Sequence, residues 1–344
     1  MRLVFVTQQV DPGHPALAAT VPKLRALARR VDELVVLADG AVPGVLPANC
    51  RVRTFASRTK PGRGLRFEVA LARELRPRPA AVVAHMCPIF AVLAAPLARP
   101  LGVRVLLWYT HWRASTTLRL AARASTTILS VDRRSFPLRD PKVRAIGHGI
   151  DLDEFPCRHD DRPDDSLRVL ALGRYSPAKG LDVVLRAIDR AARDGLDVRL
   201  QAHGPALSPL EREHLEQLRG TARELGVEEH VALDGPVVRA KVPDVLAAND
   251  LLVNNMRAGA PDKVVYEAAA SCLPVAASNP VFDELLPDTL RFAREDPASL
   301  AQTLSAFARL PAGERSALGR TLRERVAAGH SVESWADRVL EAAA

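Results

Sequence analysis

The 344-residue sequence lacks long hydrophobic segments. Its longest apolar runs fall well short of the roughly 18 to 20 residues that a helix needs to cross a bilayer. The amino-terminal segment MRLVFVTQQVDP carries one positive charge and a short apolar run, which is typical of a first strand and not of a signal peptide. We therefore expect a cytoplasmic protein.

Cysteines are also scarce, and they are scattered along the chain as Cys50, Cys87, Cys157 and Cys272. They form no Cys-x-x-Cys pair, which argues against a zinc site and against a disulfide framework. We expect each of them to be a small buried apolar residue.

Acidic residues are few in the first half of the chain. Residues 1–150 contain 24 Lys and Arg against 8 Asp and Glu, whereas the remaining residues contain 24 against 32. This asymmetry predicts two domains with different partners, and a basic half attracts anions such as pyrophosphates or phospholipid surfaces. A compositional bias toward Arg is the alternative explanation. Aromatic residues make up only 4% and do not alternate with Arg, which disfavours nucleic acid as a partner.

Short β-rich runs alternate with longer amphipathic patterns along the chain. Seven strand candidates precede residue 150 and five follow it, and most are continuous apolar runs such as AAVVAH (80–85). Such runs are typical of strands buried on both faces of a parallel sheet. We therefore predict an α/β protein with two Rossmann-like, doubly wound parallel-sheet domains in tandem and a cleft between them. The predicted boundaries are 1–150 for the first domain, 151–166 for a polar linker, and 167–330 for the second domain.

The segment LALGRYSPAKGL (170–181) joins a predicted strand to a predicted helix. Gly173 ends the strand, and Arg174 and Lys179 follow before the helix opens. Glycine permits a close approach of the backbone to a ligand, and the helix start and both cations favour a diphosphate. A surface loop with incidental basic residues is the alternative.

A second segment, RAGAPDKVVYEAAASCLPVAAS (257–278), follows a later strand. A loop of small residues leads to Asp262 and Lys263, and Glu267 follows near the predicted helix start. A carboxylate at such a place stays ionised and can accept two hydrogen bonds from a ribose diol. A solvated helix start is the alternative.

Taken in order, LALGRYSPAKGLDVVLRAI, HGP, ALDGPV, VLAANDLLVNN and YEAAASCLPVAAS resemble the carboxyl-terminal domain of glycosyltransferase family 4. The segment IGHGIDLDEF (146–155) resembles its interdomain segment, and LLWYTHW resembles a bacterial branch of the family. The resemblance implies the glycosyltransferase-B fold, with a terminal helix (331–344) that packs back on the first domain. It also implies transfer of a sugar, with retention, from a nucleotide sugar to a glycan, lipid-linked or small-molecule acceptor. Neither a cofactor nor a metal is expected.

The resemblance also assigns roles to individual residues. Arg174 and Lys179 match the pair that holds the donor diphosphate, and with His111, which matches a histidine near the donor sugar, they are the predicted catalytic residues. Glu267 matches the ribose-binding second glutamate of the E-x7-E motif. The other predicted donor-binding residues are Gly13, Gly173, His203, Gly204, Gly259, Asp262 and Lys263.

The E-x7-E motif is incomplete, because Gly259 stands where its first, sugar-binding glutamate is expected. We expect Asp262 to supply the missing carboxylate and Lys263 to meet a phosphate. The acceptor-side candidates are His85, Trp108 and Trp112, for which a role in the core is the alternative.

Other interpretations stay open at this point. A nucleotide-sugar epimerase of the same fold is disfavoured by the few acids of the first half, whereas Gly259 keeps open a non-catalytic, nucleotide-sugar-binding partner subunit. The D-x-D at 151–153 lies in the interdomain segment, a context that argues against a metal site. The basic segment 57–79 is either a solvated helix or a surface that rests on the anionic inner face of the cell membrane or faces a lipid pyrophosphate.

Overall fold

The computed structural model describes residues 1–14, 17–111, 113–158, 166–257 and 261–344. The chain forms two compact units. The first comprises Met1–Asp151 and Gly329–Ala344, and the second comprises Leu152–Ala328. Residues 159–165 of the predicted linker lie outside the described part of the chain.

Strands and helices alternate in both units. The strands are β1 (Arg2–Val10), β2 (Glu33–Ala41), β3 (Cys50–Thr54), β4 (Ala81–His85), β5 (Arg104–Trp108), β6 (Thr127–Ser130), β7 (Val143–Ala145), β8 (Leu167–Leu172), β9 (Val198–His203), β10 (Val231–Asp234), β11 (Leu251–Asn254) and β12 (Val275–Ala277). The helices are α1 (Thr20–Ala28), α2 (Lys60–Glu74), α3 (Pro88–Ala98), α4 (Thr116–Ala124), α5 (Leu181–Arg193), α6 (Pro209–Leu225), α7 (Val242–Ala247), α8 (Lys263–Ala270), α9 (Pro297–Ala308), α10 (Ala312–His330) and α11 (Val332–Ala343). Among the described residues, no helix combines the length and the apolar character that a membrane span requires.

Each unit is built on one parallel sheet. The first sheet has seven strands in the order β3-β2-β1-β4-β5-β6-β7, and the second has five in the order β10-β9-β8-β11-β12. The central strands are buried on both faces, as in β1, where Leu3, Val4 and Phe5 are all fully buried. The predicted fold class is therefore confirmed, and it follows from the continuous apolar runs that parallel strands require.

Helix α11 belongs to the first unit, where it packs on the sheet through Trp335. Ser331 caps the helix by accepting a hydrogen bond from the backbone N–H of Ser334 at 3.2 Å. The fully buried indole of Trp335 meets Trp108 edge to face at 5.8 Å, and Nζ of Lys23 lies 5.2 Å and 5.4 Å from the two ring centroids. Trp108 is only 1% exposed. The idea that Trp108 forms an acceptor platform is therefore wrong, because its ring is part of the core.

The cysteines differ from the prediction. Cys157 and Cys272 form a disulfide within the second unit, with Cα atoms 5.0 Å apart. None of the four is buried: Cys157 is exposed, and Cys50, Cys87 and Cys272 are partly exposed. The pair could not be predicted from the sequence, because its two cysteines are 115 residues apart and such a spacing carries no information about their distance in space.

Replacing Trp335 by Ala tests the packing of α11. Loss of this buried ring should lower the free energy of unfolding of the first unit by about 3–5 kcal/mol. Urea denaturation followed by tryptophan fluorescence reports on that unit, because all three tryptophans fall within its residue ranges. Glu341→Ala, at an exposed position of the same helix, is the matched control. A loss below about 1 kcal/mol would show that α11 does not depend on this anchor.

Candidate functional site

The second sheet reverses its strand order at β8. The chain runs outward from β8 through β9 to β10 and then returns to place β11 on the other side of β8. Ligands of such sheets bind where this reversal occurs, outside the carboxyl ends of the strands. A crevice lies at this point, and Gly173, Lys179, Asn254 and Asn255 are among the residues that line it.

Two glycines bring the ends of β8 and β9 together. The amide of Gly173 donates a hydrogen bond to the carbonyl oxygen of His203 at 2.9 Å. A Cβ atom on Gly204 would overlap the carbonyl oxygen of Gly173, so no larger residue fits without a backbone shift. Gly173 itself has a φ of 144°, and a side chain there would collide with Lys179. The absence of side chains at the two glycines therefore allows the backbone of Gly204 to contact the carbonyl of Gly173, and the Lys179 side chain to contact Gly173.

Lys179 pairs with Asp262 beside this crevice. Its Nζ donates to Oδ2 of Asp262, which also accepts a hydrogen bond from Nδ2 of Asn254 at 2.8 Å. Both members of the ion pair have side chains that are 17% exposed. Oδ1 of Asn254 is buried and has no hydrogen-bond partner within the described ranges. The two residues predicted for phosphate and sugar contacts thus lie together and are bound to each other.

Arg174 is directed to a different carboxylate. Its guanidinium lies 2.5 Å from Oε1 of Glu211, and its side chain is 55% exposed. Glu211 forms the capping box of α6 with Ser208, which fixes its position. The basic pair predicted for one diphosphate is therefore divided between two carboxylates, Glu211 and Asp262.

Glu267 is buried in the second turn of α8. The helix begins at Lys263, because Asp262 has an extended backbone, and Glu267 is its fifth residue. The side chain is 5% exposed, and Oε1 lies 2.7 Å from Nζ of Lys263 and 2.6 Å from Nη1 of Arg239. Lys263, predicted to meet a phosphate, thus pairs with the carboxylate predicted to bind the ribose.

Arg239 is a residue that the sequence did not indicate. Its Nε and Nη2 donate to the two carboxylate oxygens of Glu154 at 2.6 Å and 2.9 Å, and its guanidinium carbon lies 4.8 Å from the ring centroid of Phe155. Burial lowers the pKa of Arg239, but the charges of Glu267 and Glu154 outweigh burial, so the pKa is raised. No motif marks Arg239, whereas Glu154 lies in the segment IGHGIDLDEF (146–155), and the two residues meet only through the fold.

Two further predicted donor-binding residues are His203, in the second unit, and Gly13, in the first. Nδ1 of His203 lies 3.9 Å from Oδ2 of Asp234, and its Nε2 is buried without a hydrogen-bond partner in the described part of the chain. The amide of Gly13 donates to Oδ1 of Asp11 at 2.8 Å in the turn after β1. Trp112 and Gly259 lie outside the described residues.

The two histidines predicted in the first unit also differ from each other. His85 is 4% exposed at the end of β4, with Nδ1 at 3.4 Å from Oγ1 of Thr7. Burial, assisted by the charge of Lys23, lowers its pKa well below the usual value. His85 is thus buried, and its acceptor-side role stays a prediction. His111 is exposed, and its Nδ1 accepts from the amide of Arg113 at 3.0 Å. Partial burial and Arg113 lower its pKa.

Residues 166–309 match the protein family described as Glycosyl transferases group 1. This range contains the crevice, Lys179, Arg239 and Glu267. The GDP-mannose-dependent alpha-(1-6)-phosphatidylinositol monomannoside mannosyltransferase of Mycolicibacterium smegmatis is 29% identical over 215 residues, which are 54% of this chain and 55% of that protein. The chain spans between 25% and 55% of the length of the curated relatives that it matches.

Solved structures resemble the chain over nearly its whole length. A glycosyltransferase from Rickettsia africae has a TM-score of 0.77 at 13% identity, covering 99% of this chain and 97% of that one. Anabaena HepE in complex with UDP and glucose has a TM-score of 0.75 at 17% identity, covering 99% of both chains. The two parallel-sheet α/β units thus match structures with the glycosyltransferase-B fold.

Replacing Gly204 by Ala tests the backbone contact at the crevice. The added Cβ would overlap the carbonyl of Gly173, so the second unit should lose about 1–3 kcal/mol of its free energy of unfolding. Urea denaturation followed by circular dichroism measures this change. Gly220→Ala in α6 is the matched control, since a Cβ there meets no atom and should leave stability unchanged or raised. Equal stability of the two variants would contradict the contact.

Proposed function

We propose that the protein is a glycosyltransferase that moves a sugar from a nucleotide-sugar donor to an acceptor hydroxyl, with retention and without a metal. The observation that carries this proposal is the crevice at the strand reversal, which is lined by Gly173, Lys179 and Asn254 among others and lies inside the range that matches the family Glycosyl transferases group 1. In this proposal the nucleotide diphosphate binds outside the ends of β8 and β9, where backbone amides and cations can reach it.

Lys179 and Arg174 would stabilise the leaving diphosphate. As the bond to the anomeric carbon breaks, negative charge grows on the phosphate oxygens, and cations held at that place lower the barrier. Lys179 would exchange its partner from Asp262 to a phosphate, which frees the Asp262 carboxylate for a sugar hydroxyl. Glu267 would accept hydrogen bonds from the ribose, and His111 would lie near the sugar. This scheme needs no covalent nucleophile from the protein.

The names of the relatives suggest substrates for the first assays. One relative is named for GDP-mannose and for a phosphatidylinositol acceptor, and a similar structure holds UDP and glucose. We propose that the donor is a uridine or guanosine diphosphate sugar. The acceptor would carry hydroxyl groups and come from the glycan, lipid-linked or small-molecule class.

Donor turnover tests the proposal. The protein, incubated with UDP-glucose and GDP-mannose and with polyol, glycan or lipid acceptors, should release nucleoside diphosphate and form a glycoside with the donor's anomeric configuration by NMR. EDTA should not change the rate. Lys179→Ala should lower kcat/KM by about 100-fold or more, whereas Lys241→Ala, on a side chain that is 70% exposed, should not.

Other results of the turnover assay, or of calorimetry with the same donors, would contradict the proposal. An isomerised nucleotide sugar in the absence of acceptor would indicate an epimerase. Nucleotide binding in calorimetry with every donor intact would indicate a non-catalytic binding subunit. A product with inverted anomeric configuration would contradict the proposed retention, but not the proposed transfer of a sugar.

We also propose a peripheral contact between α2 and an anionic membrane. Leu65 and Val69, one turn apart on this helix, are 64% and 44% exposed, and Arg66 and Arg73 lie on exposed positions nearby. An amphipathic basic helix of this kind binds anionic lipid by partial insertion and charge attraction.

Vesicle sedimentation tests this contact. The protein should sediment with vesicles that contain phosphatidylglycerol and much less with pure phosphatidylcholine vesicles. The double variant Leu65→Ser/Val69→Ser should lose most of the bound fraction, whereas Leu207→Ser, an equally exposed leucine in the second unit, should not. Equal sedimentation of all three proteins would refute the contact.

A further inference from the structure

The carboxylate of Glu267 is held from one side. Both neighbouring cations approach the same oxygen, with Nη1 of Arg239 at 2.6 Å and Nζ of Lys263 at 2.7 Å from Oε1. Within the described part of the chain no residue bonds to Oε2, so its lone pairs remain for a ligand. A carboxylate that is 5% exposed has lost most of its contact with water, and the two cations replace the favourable interactions that water would have supplied.

The two cations differ in what they can do. Lys263 is on the same helix as Glu267, four residues earlier, and its ammonium is a point charge on a flexible chain. Arg239 comes from a separate segment and presents a planar fork. It supplies charge as Lys263 does, and in addition it can fix the direction in which the carboxylate points.

The orientation of Arg239 is itself fixed by neighbours. Glu154 binds the Nε–Nη2 edge in the bidentate manner, and the ring of Phe155 lies 4.8 Å from the guanidinium carbon. Only Nη1 remains for Glu267. With one edge held by a carboxylate and one face by an aromatic ring, the guanidinium has a single orientation to offer. The position of the Glu267 carboxylate follows from it.

We propose that Arg239, held by Glu154 and Phe155, is a positioning residue that aims Oε2 of Glu267 at the ribose hydroxyls of the donor nucleotide. This inference rests on the proposed function. Hydrogen bonds from a diol to a carboxylate require short distances and near-linear angles, so a carboxylate that rotates freely would bind the ribose poorly even though its charge is kept. Lys263 can preserve the charge, but only Arg239 can preserve the direction.

The experiment compares nucleotides with and without the ribose hydroxyls. Calorimetry measures the affinities of UDP, GDP and their 2′,3′-dideoxy forms for the wild type and for Arg239→Gln, Arg239→Lys and Glu267→Gln. The wild type should prefer its ribonucleotide by about tenfold or more, since hydrogen bonds to a charged group are worth that much. Both Arg239 variants should lose most of this preference and keep the affinity for the dideoxy form.

Lys241→Gln is the matched control, because it removes a cation two positions away whose side chain is 70% exposed and pairs only locally with Asp244 in the described structure. It should keep the full preference. In the Glu267→Gln background, Arg239→Gln should change the preference no further, since the two residues act through one carboxylate. Arg239→Lys keeps a positive charge and provides a second, folded variant if Arg239→Gln melts at a much lower temperature.

Four outcomes would overturn the inference, the last of them together with the proposed function. If the Arg239 variants keep the ribose preference, Glu267 does not depend on Arg239 for its direction. If they weaken both nucleotide forms equally, Arg239 has only a structural role. If the wild type binds UDP or GDP without any preference for the ribose form, Glu267 is not a ribose contact. A wild type that binds neither UDP nor GDP overturns instead the proposed function, and the inference with it.

Discussion

The burial of the Glu267 carboxylate is the constraint on which the second unit's candidate site depends. An ionised group that is 5% exposed requires compensating charge, and Arg239 supplies it from another segment. Arg239 in turn requires Glu154, so that α8 becomes tied to the segment 152–158. The disulfide between Cys157 and Cys272 joins the same two segments. The ion pairs of the buried Glu267 carboxylate thus explain the contact between the segment 152–158, which precedes the second sheet in the chain, and α8, which precedes the last strand of that sheet.

Each of the two cations near the crevice, Arg174 and Lys179, pairs with a carboxylate of the same unit. Lys179 binds Asp262, and Arg174 binds Glu211. Binding of a diphosphate in the proposed function is then an exchange of partners and not the filling of a bare positive site. Such an exchange keeps the cations ordered, and it releases the carboxylate of Asp262, which in the sequence is three residues after the position where Gly259 replaces the expected glutamate.

The fold followed from the sequence because its signal is local and repeated. Continuous apolar runs gave seven strands in one half and five in the other, and the two sheets have those numbers of strands. The candidate site could be predicted in part, because Gly173 follows β8 and the segments after β8 and β11 lead to Lys179, Asp262 and Glu267, in the region where parallel sheets bind their ligands. Arg239 follows a strand too, but its partner Glu154 is 85 residues away and no motif connects them.

The sequence by itself determined the alternation of strands and helices, the division into two sheets and the loops that carry glycine and charge, because these depend on neighbours within a few residues. Only the tertiary structure decided which charges meet, that Trp108 and His85 are buried, and that Cys157 reaches Cys272. Those outcomes depend on contacts between segments that are distant in the chain. Their energies come from burial and ion pairing, and neither can be evaluated before the sheet has brought the segments together.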